Sequence, residues 1–307
     1  MTSAIDPGHT GHQGTATIFE VPPGTPLDQD AVRERAITTL EGGGVVYLPE
    51  GGFELSAREK QLVADASVML PTRKERESRN GRPTVVYDPD RGHILHARMK
   101  GEPRAELEAL MARYTQWADG LVRTLFPSYA ADLVVDRLTY RPCERSKVQG
   151  LHVDASYGRP TEGRSMLRVF CNINPQGRPR VWHVGESFEP FVSRYLPTAR
   201  IRPESRIESL LGKLGITRGK RTAYDRLMED LRAQGKKDDR YQSDGPRRVV
   251  EFPTGAVWIA ITDLVMHAAV SGQHSFDQTF FVPIRAMRSP ANSSLAILER
   301  LTGQSLA

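Results

Sequence analysis

Leu151-His152-Val153-Asp154 is the stretch around which the whole chain can be read. In an extended segment side chains alternate between faces, so His152 and Asp154 point the same way. An imidazole beside a carboxylate supplies two of the three ligands of a facial metal site. The third is expected from a later strand, and His267 has suitable surroundings. It follows the apolar run Ala256-Val257-Trp258-Ile259-Ala260-Ile261 and precedes Ala268-Ala269-Val270-Ser271-Gly272. Two histidines and one carboxylate that leave the remaining positions open are the ligand set of non-haem Fe(II) oxygenases. His183 and His274 compete for the third place. His183 stands near a strand end beside Trp182, and His274 follows Gly272-Gln273 in turn-forming sequence, where exposure is expected. Zinc hydrolases use the same ligand types, and a merely hydrogen-bonded His–Asp pair has the same spacing.

Outward from that stretch the chain reads as short strands punctuated by turns. Residues 45–49, 83–87, 133–140, 166–174, 180–185, 249–252, 257–262 and 279–283 have strand character. A helix is expected over 28–40, ended by Gly42-Gly43-Gly44, and a second is opened by the capping box Ser56/Glu59. Over 104–126, Leu107, Leu110, Met111, Tyr114, Trp117, Leu121 and Leu125 recur at helical spacing, which assigns Trp117 to the core. A last short helix covers 294–301. Residues 189–245 break the β pattern with helical periods over 207–214 and 222–231, and read as a helical insertion. The fold expected is α+β but mainly β: a double-stranded β-helix (jelly-roll) core with flanking helices and that insertion. Residues 1–15, with His9 and His12, read as a flexible tail, leaving 16–307 as a single domain. The charged stretch over 72–82 reads as a solvated loop.

The 307 residues carry a net charge of +5 and 39% hydrophobic residues, enough for one large β-rich domain with extra helices or for two small domains. The basic balance favours anionic partners, or simply a solvated basic surface. Aromatic residues are only 7% and no nucleic-acid motif is visible, so base stacking has few platforms and no nucleic acid partner is expected. Two cysteines, Cys143 and Cys171, make no disulfide framework. The N-terminus lacks the basic and apolar segments of a signal peptide, and no apolar run approaches roughly 18 residues. A cytoplasmic protein is expected, with no obligate protein partner evident.

The order Tyr140, His152-X-Asp154, Arg168, Asn172-X-Asn174, Gly255, His267, Gly272 resembles the Fe(II)/2-oxoglutarate-dependent dioxygenases. More narrowly, the chain resembles the bacterial Kdo hydroxylase family. Four stretches carry this: Leu151-His152-Val153-Asp154-Ala155, Leu167-Arg168-Val169-Phe170-Cys171-Asn172-Ile173-Asn174-Pro175, Pro179-Arg180-Val181-Trp182-His183-Val184-Gly185-Glu186 and 262–273 around His267. The resemblance implies Fe(II), 2-oxoglutarate and O2, with succinate and CO2 as coproducts. It implies hydroxylation of Kdo at C3, giving Ko, in the Kdo-lipid A of lipopolysaccharide. It also implies a peripheral place at the anionic cytoplasmic face of the inner membrane. The alternatives are a dioxygenase acting on another anionic substrate, nucleic acid or protein, and a non-catalytic sugar- or lipid-binding module on the same barrel.

The far carboxylate of 2-oxoglutarate needs a cationic anchor, best a guanidinium fork. Many relatives place Arg or Lys shortly beyond the second histidine, but here Asp277 holds that position. Arg168, a charge inside an apolar strand, is the candidate anchor; pairing with a protein carboxylate such as Glu251 is the alternative. Tyr140, Asn172 and Asn174 are candidate hydrogen-bonding partners of the cosubstrate, with core packing and strand-end turns as their ordinary roles. Arg137, Arg141, Arg145 and Lys147, with Arg180 and Trp182 innermost, form a candidate basic rim for the anionic substrate. Surface arginines on loops are the plain alternative.

Overall fold

The computed structural model describes residues 14–65, 84–95, 99–143, 150–155, 160–200 and 221–307. In chain order the elements are β1 (Ile18–Glu20), α1 (Asp30–Glu41), β2 (Val45–Leu48), α2 (Ala57–Ala64), β3 (Val85–Asp88), β4 (His93–Ile94), α3 (Gly101–Leu125) and β5 (Val134–Arg141). They continue with β6 (Ser165–Asn172), β7 (Arg180–Ser187), α4 (Phe188–Tyr195), α5 (Ala223–Lys237), α6 (Asp239–Asp244), β8 (Arg247–Phe252), β9 (Val257–Ile261), β10 (Val265–Ser271), β11 (Ser275–Val282) and α7 (Ser294–Thr302).

Eight strands form one sheet in the order β1-β2-β9-β6-β11-β5-β3-β4, and β10-β7-β8 form a second. Non-sequential neighbours such as β9-β6-β11 are what a jelly roll requires. Alternation along β6 separates two cores. Leu167, Val169 and Cys171 join a large cluster with Leu110, Met111 and Tyr114 of α3. Phe170 joins a smaller cluster between the sheets with Trp182, Val184, Phe252 and Trp258. That inner cluster is an aromatic plug: Phe252 and Trp258 stack at 4.0 Å, and Phe170 meets Trp182 edge-on at 4.6 Å. Each such ring is worth about 1.5–3 kcal/mol when buried.

One register step beyond the plug the lining becomes polar. Arg168 pairs across to Ala260 next to the Phe170–Trp258 pair, and His267 pairs to Val184 next to Ala269–Trp182. The inner layer thus passes directly from an aromatic plug to the candidate site.

The helices expected over 28–40, 104–126 and 294–301 are α1, α3 and α7, each shifted by a few residues. The Ser56/Glu59 capping box opens α2. Three readings change. His152 is not on a strand: it makes one isolated antiparallel bridge with His267. His267 lies on a late strand as expected, but on β10, which the turn Thr262-Asp263-Leu264 separates from the run read over 257–262. β11 begins at Ser275, so the polar residues before Thr279 are strand, not loop. Within 189–245, α4, α5 and α6 are helical as expected; the helix read over 207–214, the loop over 72–82, His9 and His12 lie outside the described residues.

Candidate metal centre

His152, Asp154 and His267 converge, with one ligand atom from each lying within 4.8 Å of the others. The backbone makes this meeting. The His152 and His267 N–H groups donate to each other's carbonyls at 3.1 and 3.0 Å, and the Asp154 N–H donates to Thr262 O at 2.9 Å. The segment 152–154 is therefore pinned alongside β10 and the turn before it. His152 Nε2 lies 3.8 Å from Asp154 Oδ1, and His267 Nε2 lies 3.8 Å from Asp154 Oδ2.

The far ring nitrogens fix the tautomers. His152 Nδ1 donates to Gly150 O at 2.8 Å and His267 Nδ1 to Val265 O at 3.0 Å. With the proton held at Nδ1, each Nε2 presents its lone pair to the common centre, the usual second-layer arrangement behind metal-bound histidines. Burial, then the neighbouring His267, push His152 well below its ordinary pKa, and burial lowers His267 too. Burial would raise Asp154, but Arg168 and the two histidines hold its carboxyl far below the usual carboxylate range. The centre is thus two neutral imidazoles and one anion. His267 is further fixed by Trp182, whose ring stacks on it at 5.2 Å.

The residues from 25 to 305 match the family of 3-deoxy-D-manno-oct-2-ulosonic acid (Kdo) hydroxylases. The chain belongs to the Kdo hydroxylase family. It is similar to the crystal structure of the Kdo hydroxylase KdoO, a non-haem Fe(II) α-ketoglutarate-dependent dioxygenase, in complex with cobalt(II), with 32% identity over 94% of this chain and 97% of that one and a TM-score of 0.84. The same enzyme with succinate and Fe(III) is 34% identical at the same coverage and TM-score. Its complex with α-ketoglutarate and Fe(III) is 32% identical, again at a TM-score of 0.84. No match was found among curated proteins. The jelly-roll core is that of this family.

In this Kdo hydroxylase family member, Arg168 stands beside the triad on the inner face. Its Nη1 lies 3.2 Å from Asp154 Oδ2 and 3.2 Å from Asp277 Oδ2. Asp277 also accepts from Arg141 Nη2 at 2.8 Å. A chain of alternating charges therefore runs Asp154–Arg168–Asp277–Arg141. Glu251, the partner considered from sequence, is exposed on β8. Asp277 occupies the position where many relatives carry a cation, and here it holds two cations instead. The Arg168 Nε is buried without a hydrogen bond, so this guanidinium keeps a spare donor.

Other expected site residues have different uses. Tyr140 faces the helix side of β5, opposite to Arg168, because its register partner Phe276 lies in the outer core. Its hydroxyl meets His274 Nδ1 at 2.9 Å. His274 is buried, not exposed: the turn takes a left-handed residue there, φ 55°, which folds the ring inward. Asn172 donates to Arg178 O and Phe252 O at 2.9 Å, and its Oδ1 accepts from Asn174 N at 3.0 Å. Asn174 Oδ1 accepts from Gln176 N at 2.9 Å. Both asparagines close the turn after β6, as Asx turns do, and neither side chain is left for a cosubstrate.

Among the described residues the expected basic rim does not assemble. Arg137 lies 3.7 Å from Asp88, and Arg141 is committed to Asp277. Arg180 is buried and donates to Gly272 O; Trp182 belongs to the plug. Arg145 and Lys147 lie outside the described residues. Trp117, expected in the core, is partly buried against it and lines a cavity of about 660 Å³ with Pro26 and Gln116, none of them a triad residue.

Sequence reasoning read α5 as a helix of the insertion but gave it no part in the site. Arg232 and Lys236, four residues apart on this helix, both act electrostatically on His152. The available signal was the basic pair at helical spacing in the insertion, which reads as ordinary solvated surface until the fold brings α5 to the triad.

Proposed function

We propose that this protein is an Fe(II)- and 2-oxoglutarate-dependent hydroxylase of Kdo, acting at C3 to give Ko in Kdo-lipid A. The observation that carries the reading is the buried His152–Asp154–His267 centre with both Nδ1 protons held by backbone carbonyls, in a chain of this family. The donor set fits Fe(II): two imidazole nitrogens and one carboxylate on one side, with Asp154 Oδ2 buried and lacking a hydrogen bond. Bound Fe(II) with 2-oxoglutarate and O2 would supply the oxidising chemistry, releasing succinate and CO2.

The protein's own contributions follow from the site. Asp154 stays ionised because Arg168 lies against it, and Asp277 keeps Arg168 from collapsing wholly onto Asp154. The spare Arg168 Nε, with its charge facing the barrel interior, suits a carboxylate of 2-oxoglutarate. The plug of Phe170, Trp182, Phe252 and Trp258 closes the barrel behind the metal, keeping water from the reacting end. We read 16–307 as one catalytic unit working peripherally at an anionic membrane surface without an obligate protein partner; among the described residues no helix is long and apolar enough to cross a membrane.

The test is the mass of Kdo-lipid A after incubation with the protein, Fe(II), 2-oxoglutarate and air. A gain of one oxygen atom, absent with Asp154→Ala, supports the reading. An unchanged lipid beside an intact Fe(II)–2-oxoglutarate absorption band would keep the dioxygenase chemistry and sink the Kdo assignment.

A further inference from the structure

The segment that carries His152 and Asp154 runs along the outer edge of β10. His152 exchanges both backbone hydrogen bonds with His267. In an antiparallel pair the next residue along turns its N–H and C=O away from the partner strand. The Leu151 carbonyl therefore points to the open side of the segment, on a residue that is 1% exposed. A carbonyl buried there requires a donor. A wider sheet would supply one from a further strand; here the helical insertion supplies it.

The donor is Gln242 of α6. Its Nε2 donates to Leu151 O at 3.0 Å and to Gly235 O, in the last turns of α5, at 2.7 Å. Both hydrogens of that amide nitrogen are thereby used. The same carboxamide lies against Gly150, where an added Cβ would meet Gln242 Oε1 at 2.1 Å. Gly150 is the residue whose carbonyl takes the His152 Nδ1 proton at 2.8 Å. One side chain thus contacts Gly150 and bonds Leu151, the two residues that lead into His152. Its own support is braced: the Asp238 carboxylate caps α6 by accepting from the Tyr241 N–H at 2.9 Å, and accepts from the Tyr195 hydroxyl of α4 at 2.8 Å.

A metal-bound imidazole is aimed by the group that holds its other nitrogen. For His152 that group is Gly150 O, and its direction turns with the Gly150–Leu151 backbone. Fixing Leu151 O therefore fixes the ring.

We propose that Gln242 is a positioning residue of the metal centre: its carboxamide holds the Gly150–Leu151 backbone in the conformation that aims His152 Nε2 at the metal. Metal affinity then depends on docking of the helical insertion, which becomes part of the active site rather than an addition to the barrel. This rests on the metal centre described above and not on the identity of the sugar.

The experiment titrates Co(II) into the metal-free protein and follows its visible absorption bands. Gln242→Met keeps the length and packing of the side chain and removes its donors. It is expected to weaken Co(II) binding by about tenfold or more, the scale of a lost outer partner of a metal-bound histidine, and to shift the bands. In the metal-free protein it should speed hydrogen exchange over residues 150–154. Gly150→Ala, which pushes the carboxamide away from Leu151, should weaken Co(II) binding in the same direction. The double variant Gly150→Ala/Gln242→Ala should lose less than the sum of its single changes, because the clash leaves with the carboxamide. A Gln242→Met protein with lowered Tm but wild-type Co(II) affinity and bands would overturn the proposal and leave Gln242 a contact of the fold alone. So would additive losses in the double variant. A wild type that takes up no Co(II) would sink the metal centre itself, and the role of Gln242 with it.

Discussion

Asp277→Ala tests the charge chain most directly. Asp277 is buried and takes Arg141 at 2.8 Å and Arg168 at 3.2 Å. Removing it leaves two guanidinium groups in the barrel, Arg168 still 3.2 Å from Asp154 and Arg141 without this carboxylate. Deleting one partner of a buried ion pair costs about 3–5 kcal/mol. Both arginines keep about a fifth of their side-chain surface in water, 20% and 21%. Solvent therefore relieves part of the penalty, and the lower end, about 3 kcal/mol, is expected. For a chain of this length each kcal/mol lowers Tm by about 2 °C, so the expected loss is about 6 °C. The assay is thermal unfolding of the metal-free protein followed by circular dichroism. A second readout is 2-oxoglutarate affinity of the Fe(II) form: with Asp277 gone, Arg168 is drawn toward Asp154, and binding should weaken. Asp277→Asn, which keeps shape and one acceptor, should lose less on both counts. A Tm within about 2 °C of wild type together with unchanged 2-oxoglutarate affinity would refute the idea that Asp277 positions Arg168.

Three further outcomes are expected. Burial lowers the pKa of His274 from 6.5 to about 4, so the unfolded chain binds a proton there that the native state does not. Its contribution is present above pH 6.5 and is lost as pH falls toward 4, at no more than about 1.4 kcal/mol per pH unit and less where water reaches the ring; urea midpoints of His274→Gln should vary less over that window than wild type, and parallel curves would contradict this. At Gly235 an added Cβ would meet the Phe191 ring at 2.6 Å; the helix gain of about 1 kcal/mol from Gly235→Ala is outweighed by about 1–3 kcal/mol of overpacking, so the variant should melt lower, and a higher Tm would be the contrary result. Fe(II) at a hundredfold excess over its Kd should add about 2.7 kcal/mol to stability in wild type and nothing in Asp154→Ala, read as a Tm shift reversed by a chelator; an equal shift in both would place the metal elsewhere.

Much of this protein was legible in its sequence because the deciding signals are local. The apolar runs of β6 and β9, the seven-residue helical stripe of α3 and the Ser56/Glu59 box depend on near neighbours, and each forms as read. The His-X-Asp spacing and the motif strings around it sufficed to name the family. The remainder depended on contacts between residues distant along the chain. The segment carrying His152 and Asp154 is extended because β10 and Thr262 supply its hydrogen-bond partners, not because it is a strand by itself. A carboxylate at position 277 looked like a missing anchor, and only the register of β11 beside β5 and β6 shows it bridging Arg141 and Arg168. Tyr140 and Arg168 seemed to serve one cosubstrate, yet alternation on paired strands sends them to opposite faces. Arg232 and Lys236 gave only the signal of a basic pair on an amphipathic helix, which is ordinary solvated surface. The Gln242 latch docks that insertion against the metal-binding segment. The sequence by itself determined the elements, the ligand types and the family. The tertiary structure decided which charges meet, because Coulomb and hydrogen-bond energies depend on distances through space that spacing along the chain does not encode.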